Sequence, residues 1–319
     1  MNILAEEQLK MLDSELSENE RKKQEEHFYK LYYELRKKDE GSILGQMSLK
    51  TRQRLHWIVL LVYIVKNHLG GFSYEIIKDR RVKCDRPIIF AVTHVGKFDI
   101  EVISEAIRDH YYLLSGDYEH IQGIVDAPFL AVNGVIYFNE KVKEDRISVT
   151  QKMIQHLRDG GNLMYFPEGT WNLSPNLPVL PCYWGIVEIA QKSNAIIVPI
   201  AAEQYGKHFK INIGSQFDMT LFGKSPSEKS NAISKLRDVL ATLKYEIWET
   251  EPQLQRKELQ GDEWDRYIEE RFKEWPYFNL DYIANLVYKP KDVIDPADVF
   301  AHLSKIEPSL STAFLFNKR

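Results

Sequence analysis

Arg86-Pro87-Ile88-Ile89-Phe90-Ala91-Val92-Thr93-His94-Val95-Gly96-Lys97-Phe98-Asp99 is the stretch that decides the fold of this chain. The apolar run from Pro87 to Val92 has the length and composition of a buried strand. Asp99 then opens a segment whose apolar residues recur at Ile100, Ile103 and Ile107, a helix start with an aspartate near its N-cap. His94 therefore falls at the carboxyl end of a strand, where open α/β sheets place their chemistry. A chain with nine histidines yields about half of one His-x4-Asp spacing by chance, so the strand-turn-helix context carries the reading, not the spacing.

Outward from this stretch, short apolar strands alternate with helices from Arg86 to about Ser215, the signature of an α/β layer fold. Strands are expected near Ile88 to Thr93, Tyr111 to Ser115, Val135 to Phe138, Asn162 to Phe166, Ile196 to Ala201 and Phe209 to Ile213. Helices are expected near Asp99 to Asp109, Glu144 to Arg158 and Cys182 to Lys192. The expected class is α/β, with a mixed, mostly parallel sheet flanked by helices and helical N- and C-terminal extensions. The expected divisions are a helical extension over 1–80, an α/β core over 81–223 and a helical extension over 224–319.

Within the first extension, Ser17 and Glu20 stand at capping-box spacing before a helix to Lys38, with Phe28, Leu31, Tyr32 and Leu35 on one stripe. A second helix, Ser48 to His68, is apolar on most faces in its middle and ends at Gly70-Gly71. Either it packs on the core or it lies in a membrane interface. In the last extension Ser225-Pro226-x-Glu228 starts a helix carrying Ile233, Leu236, Leu240, Leu243 and Ile247. The tail beyond Pro252, with Trp264, Trp275, Tyr277, Phe278 and a helix start at Asp295-Pro296, carries no chemical motif.

Composition narrows the function. The formal net charge is −4, with both signs dispersed, which gives no general reason to expect nucleic-acid binding. A local cluster of Lys78, Arg80, Arg81, Lys83 and Arg86 reads either as a solvated loop or as a contact for an anionic surface. Cys84 and Cys182 are too few for a disulfide framework and lack metal-ligand spacing, so a reducing, cytoplasmic compartment is expected. The acidic start Met1-Asn2-Ile3-Leu4-Ala5-Glu6-Glu7 is unlike a signal peptide. The longest apolar run, Trp57 to Val65, has nine residues, whereas a spanning helix needs about twenty.

The chemistry-bearing residues come in two stretches. A neutral imidazole takes a hydroxyl proton when its other nitrogen is held as a donor, and a nearby carboxylate fixes that tautomer and stabilises the imidazolium. His94 and Asp99 fit these roles. About seventy residues on, by sequence spacing, Tyr165-Phe166-Pro167-Glu168-Gly169-Thr170 ends an apolar strand in a sharp turn. Pro167 fixes one dihedral there and Gly169 permits close backbone approach. The carboxylate of Glu168 either binds a hydroxyl-rich substrate or sits in an exposed β-turn. No Gly-x-Ser-x-Gly elbow is present, so the base would act on the acceptor directly.

The order and spacing of these stretches resemble the glycerolipid acyltransferases of the lysophosphatidate acyltransferase type, which carry a His-x4-Asp block followed by a Phe-Pro-Glu-Gly block. Asn133-Gly134-Val135-Ile136-Tyr137-Phe138 is similar to that family's second block and Ile197-Val198-Pro199-Ile200 to its fourth, with Gly185 where the family has a glycine. The resemblance spans residues 86–215. It implies transfer of a fatty acyl group from an acyl thioester, acyl-CoA or acyl-ACP as co-substrate, to a hydroxyl of lysophosphatidate or a related lyso-lipid. It implies His94 as general base, Asp99 as its orienting partner, and Glu168, Gly169 and Thr170 at the acceptor. Neither a bound cofactor nor a metal is implied. Backbone amides near Gly96 or Gly169 are the candidate oxyanion donors.

Two positions depart from the family pattern. Trp171 and Glu140 stand where the third and second blocks end in arginines that clamp the acceptor phosphate, and neither replaces a guanidinium fork. Lys97, Lys141 and Lys143 lie close in sequence and read either as solvated lysines or as point charges for the acceptor, and Trp171 reads either as simple packing or as an aromatic surface for a sugar ring or an acyl chain. A lipid acceptor implies peripheral contact with the inner face of the cell membrane, through residues 17–69 and the basic cluster. Two other readings stand beside the transferase: a non-catalytic lipid-binding or scaffold protein that kept the fold, and a thioesterase-like hydrolase. The polar N-terminus and the aromatic tail offer surface for a protein partner that the sequence does not identify.

Overall fold

The computed structural model describes residues 17–116, 127–139, 142–172 and 177–251, together with Arg266. Two N-terminal helices, α1 (Glu18–Glu40) and α2 (Leu49–Gly70), precede the first strand. Both capping predictions hold where they are described. Ser17 and Glu20 exchange backbone-to-side-chain hydrogen bonds at the start of α1, and Gly71 closes α2 at φ 73°.

A seven-stranded sheet forms the core, in the order β1-β7-β6-β2-β5-β3-β4. Its strands are β1 (Ser73–Asp79), β2 (Ile88–Val92), β3 (Tyr112–Ser115), β4 (Val135–Tyr137), β5 (Leu163–Tyr165), β6 (Ile196–Tyr205) and β7 (His208–Ile213). Every pairing is parallel except β6 with β7. The expected mixed, mostly parallel α/β class is therefore observed.

Helices α3 (Asp99–Ile107), α4 (Ala127–Asn133), α5 (Lys143–Arg158), α6 (Gly185–Ser193) and α7 (Pro226–Thr250) flank the sheet. Alternation along β2 shows how the two faces are filled. Ile89 and Ala91 join Leu157 of α5, Ile186 of α6 and Leu236 of α7 on one side. Phe90 and Val92 join Tyr63 of α2 and Ile103 of α3 on the other. A strand buried on both faces reads as a continuous apolar run, which is why Pro87 to Val92 was legible.

Two features differ from expectation. β1 belongs to the sheet, pairing with β7 from Ser73↔His208 to Asp79↔Ile213. The expected boundary at residue 81 thus falls inside the α/β unit. The C-terminal helix α7 also packs on the sheet, burying Ala232, Leu236 and Leu240, and it carries the predicted capping box of Ser225 and Glu228. The tail with Trp264, Trp275, Tyr277, Phe278 and Asp295-Pro296 lies outside the described residues, as do residues 1–16.

The basic cluster is largely neutralised. Arg80 pairs with Glu246, Arg81 with Asp79 and Asp109, and Arg86 with Asp218. Arg86 also stands at the amino end of β2, at the opposite end of the strand from His94.

Candidate active site

Register brings the two sequence stretches together. β2 and β5 are parallel neighbours with Ala91 opposite Tyr165. His94 and Glu168 each lie three residues beyond that pair, so they leave adjacent strands at the same height. The chain departs from β2 through α3 on one face of the sheet and from β5 through α6 on the other. Diverging connections open a crevice at the carboxyl ends of such strands.

Asp99, fully buried at the start of α3, holds the histidine. Its Oδ2 lies 2.7 Å from His94 Nδ1 and accepts the backbone N–H groups of Val95 at 3.0 Å and Gly96 at 3.3 Å. The carboxylate is thus anchored by the turn that separates it from its histidine, which is the physical content of the four-residue spacing. His94 Nε2 makes no hydrogen bond among the described residues. Phe166 stacks on the imidazole at a centroid distance of 4.0 Å, and Trp171 meets it edge-on at 6.1 Å. These rings limit the imidazole to one plane.

Glu168 is 3% exposed and faces inward. Its Oε1 accepts the His94 N–H at 3.0 Å and its Oε2 the Leu180 N–H at 2.7 Å. Burial pushes its carboxyl above the usual carboxylate range, opposed by those two amides and by the charge of Lys244. The exposed β-turn reading of this carboxylate is therefore incorrect: the turn exists, but its acid is a staple between His94 and the segment 177–183. Gly169 has φ +71°, and a Cβ there would lie 2.3 Å from Tyr183 Cε2. Its conformation and its lack of a side chain are both used by that packing. Thr170 is buried with its hydroxyl unpartnered among the described residues.

Lys97 sits beside the site with its ammonium 5.3 Å from the centroid of the Phe98 ring. Trp171 is 6% exposed, built into the wall against His94. Lys143 is exposed at the first turn of α5, while Glu140 and Lys141 lie outside the described residues. β4, which carries the Asn133–Phe138 block, is separated from β2 by β5 and β3, about 14 Å at the usual strand spacing. Gly96 N–H is used by Asp99 and Gly169 N–H by Phe166 O. The amides of these two glycines themselves are thus already engaged.

Sequence reasoning did not find Asn172, whose N–H donates to His94 O at 2.8 Å, nor the Leu180 amide. Neither carries a recognisable residue pattern. Burial and the nearby Glu168 charge push the Cys182 thiol up, so it supplies no thiolate nucleophile. Among the described residues no cluster of His, Cys, Asp and Glu is arranged to hold a metal ion. A polar groove lined by Arg86, Asp109, Arg158 and Asn162 opens at the amino ends of the strands, away from His94.

Comparison with known proteins places this geometry. The acyltransferase family model matches residues 73–203, which contain His94, Asp99, Glu168 and Gly169. The chain carries an acyltransferase domain. The match begins at Ser73, the first residue of β1, in agreement with the membership of that strand in the sheet. Among solved structures, this chain is similar to the 1-acyl-sn-glycerophosphate (LPA) acyltransferase PlsC from Thermotoga maritima, with 17% identity and a TM-score of 0.51. That alignment covers 69% of this chain and 88% of the other. At that identity the likeness shows the fold. No curated protein sequence matches the chain.

Proposed function

We propose that this acyltransferase moves a fatty acyl group from an acyl thioester, on coenzyme A or acyl carrier protein, to a hydroxyl of a glycerolipid-like acceptor. The observation that carries the reading is the Asp99 carboxylate 2.7 Å from His94 Nδ1, which leaves Nε2 to meet a hydroxyl at the crevice. His94 Nε2 removes the hydroxyl proton as the acceptor oxygen attacks the thioester carbonyl, and Asp99 stabilises the imidazolium. Collapse of the tetrahedral intermediate breaks the carbon–sulfur bond, and the departing thiolate takes the proton from His94. Glu168 holds the His94 backbone in register, and Gly169 and Thr170 form the acceptor side of the turn.

Trp171 supports an acceptor other than a phosphomonoester. A buried indole against His94 offers an apolar wall where the family pattern has a guanidinium, and Lys97 supplies only a point charge. The acceptor is accordingly a lyso-lipid whose headgroup lacks a terminal phosphate. The test supplies acyl thioester with lysophosphatidate beside lyso-lipids lacking the phosphomonoester. Turnover of the latter supports this reading; turnover confined to lysophosphatidate refutes the altered acceptor and keeps the transferase. Thiol release independent of any acceptor identifies a hydrolase.

A lipid acceptor must be reached at a bilayer, and α2 is built for contact with one. Its inward face is mixed, burying Val59 and Tyr63 in the core together with Arg52, His56 and Asn67. Trp57, Ile58, Leu61, Val65 and Leu69 are 40–82% exposed on its outer side. An outward apolar stripe on a helix too short in apolar length to span a membrane fits an interfacial seat. The docking face is therefore this stripe and not the basic cluster, whose arginines are spent on carboxylates. The reading places the enzyme on the inner face of the cell membrane, in a compartment where Cys84 and Cys182 remain thiols.

A further inference from the structure

We propose that Arg237, on α7 and outside the span matched by the acyltransferase family, is a positioning residue for His94. It acts through the segment 177–183 and Glu168. The inference rests on the reading of His94 as the base.

That segment lies against the Phe166–Thr170 turn without regular secondary structure, so its backbone groups take partners from elsewhere. Pro178 and Pro181 contribute no N–H, which leaves few donors inside the segment. Three successive carbonyls are held from outside. Asn172 Nδ2 donates to Leu177 O at 2.9 Å and Pro178 O at 3.2 Å. Arg237 donates to Val179 O twice, from Nε at 3.1 Å and Nη2 at 2.9 Å.

The next amide in the chain is the one that matters. Leu180 N–H donates to Glu168 Oε2 at 2.7 Å, and Glu168 Oε1 accepts the His94 N–H at 3.0 Å. The Val179–Leu180 peptide unit is planar, so the fork that fixes the Val179 carbonyl fixes the direction of the Leu180 N–H. Arg237 thus sets one end of a two-ended carboxylate whose other end is the backbone of the base. The helix that presents it is rigid, with a capping box at its start and Leu236 and Leu240 fully buried on either side of the arginine in sequence.

A guanidinium suits this task because its planar fork gives two bonds to one carbonyl, whereas an ammonium gives one without fixing the plane. If the arginine only stabilised the fold, its loss would lower the melting temperature and leave His94 unmoved. If it positions the base, its loss shifts the imidazole and acts through Glu168.

The test uses the full chain with Arg237→Ala, Arg237→Lys, Glu168→Gln and the Arg237→Ala/Glu168→Gln double variant. Imidazole resonances are recorded on histidine-labelled protein, with the His94 signals assigned by their absence in His94→Ala. Arg237→Ala should shift the His94 signals and lower kcat about tenfold, inside the ~100-fold that an ångström of misplacement costs. Arg237→Lys should recover part of both, and the effects of Arg237→Ala and Glu168→Gln should fall short of additive. Unmoved His94 signals, or additive losses, would overturn the proposal. The lysine variant serves if the alanine variant does not fold. Should the wild type transfer no acyl group, the proposed function fails, while the resonance shift still reports on Arg237.

Discussion

Replacing Asp99 separates its two tasks, holding the imidazole and supplying charge. In Asp99→Asn the amide oxygen can take the place of Oδ2 and keep the three donors at 2.7–3.3 Å from His94, Val95 and Gly96. The tautomer survives and the negative charge does not. Exchanging a charged for a neutral acceptor in a hydrogen bond that is kept forfeits only the difference between the two, about 1–1.5 kcal/mol. At about 1.4 kcal/mol per decade of rate, kcat should fall roughly 5- to 10-fold. The amide nitrogen would occupy the place of Oδ1, which is buried without a partner among the described residues.

Asp99→Ala removes the anchor as well as the charge and should cost on the order of 10³- to 10⁴-fold, the scale seen when a triad carboxylate no longer sets the tautomer of its histidine. The assay is free-thiol release from an acyl thioester in the presence of a lyso-lipid, with denaturant melts on the same preparations. The gap between the two variants is the informative quantity. If asparagine is as damaging as alanine, the reasoning that three donors converge on one oxygen to orient the ring is refuted. If asparagine retains full activity, the charge has no part in the reaction.

Two further predictions concern the rest of the chain. On α2, the double variant Trp57→Glu/Leu61→Glu should stop sedimentation with anionic vesicles at low salt without moving the melting temperature, since both side chains point outward; unchanged sedimentation would remove the docking stripe. Beneath α2, burial lowers the pKa of His110 from 6.5 to about 4, aided by His56, His156 and Arg52 nearby. The folded protein then binds this proton less tightly than the unfolded chain, so stability is full above pH about 6.5 and drains as pH falls towards about 4, by up to about 3 kcal/mol. Denaturant melts between those pH values should show the loss in wild type and a flatter profile in His110→Gln, whose side-chain amide can still reach Asn133 O; equal profiles would contradict it.

Sequence carried the central sheet and the base because their signals are local. Pro87 to Val92 is buried on both faces, and the His94-to-Asp99 spacing is closed by a carboxylate bonded to its own turn. β1 escaped notice because an edge strand needs only one apolar face. Ser73–Asp79 has few apolar residues, and its pairing is irregular between Ile76 and Lys78. The basic cluster misled because its neutralising partners, Glu246 and Asp218, lie far along the chain. Glu168 was legible as a carboxylate on a turn, yet its inward direction depends on Leu180, and that amide depends on a segment held by Arg237. Such long-range donors leave no pattern in one sequence. Trp171 was visible as a departure, whereas its contact with His94 follows only from the fold.

The measurement that bears most directly on the account is thiol release from an acyl thioester by wild type and His94→Ala, each with and without a lyso-lipid acceptor. Acceptor-dependent release by wild type that drops at least about 10³-fold in His94→Ala is the predicted result, the scale expected for loss of a base acting with an orienting carboxylate. Equal rates for the two proteins would contradict the assignment of His94, and release by wild type that ignores the acceptor would replace the transferase with a hydrolase.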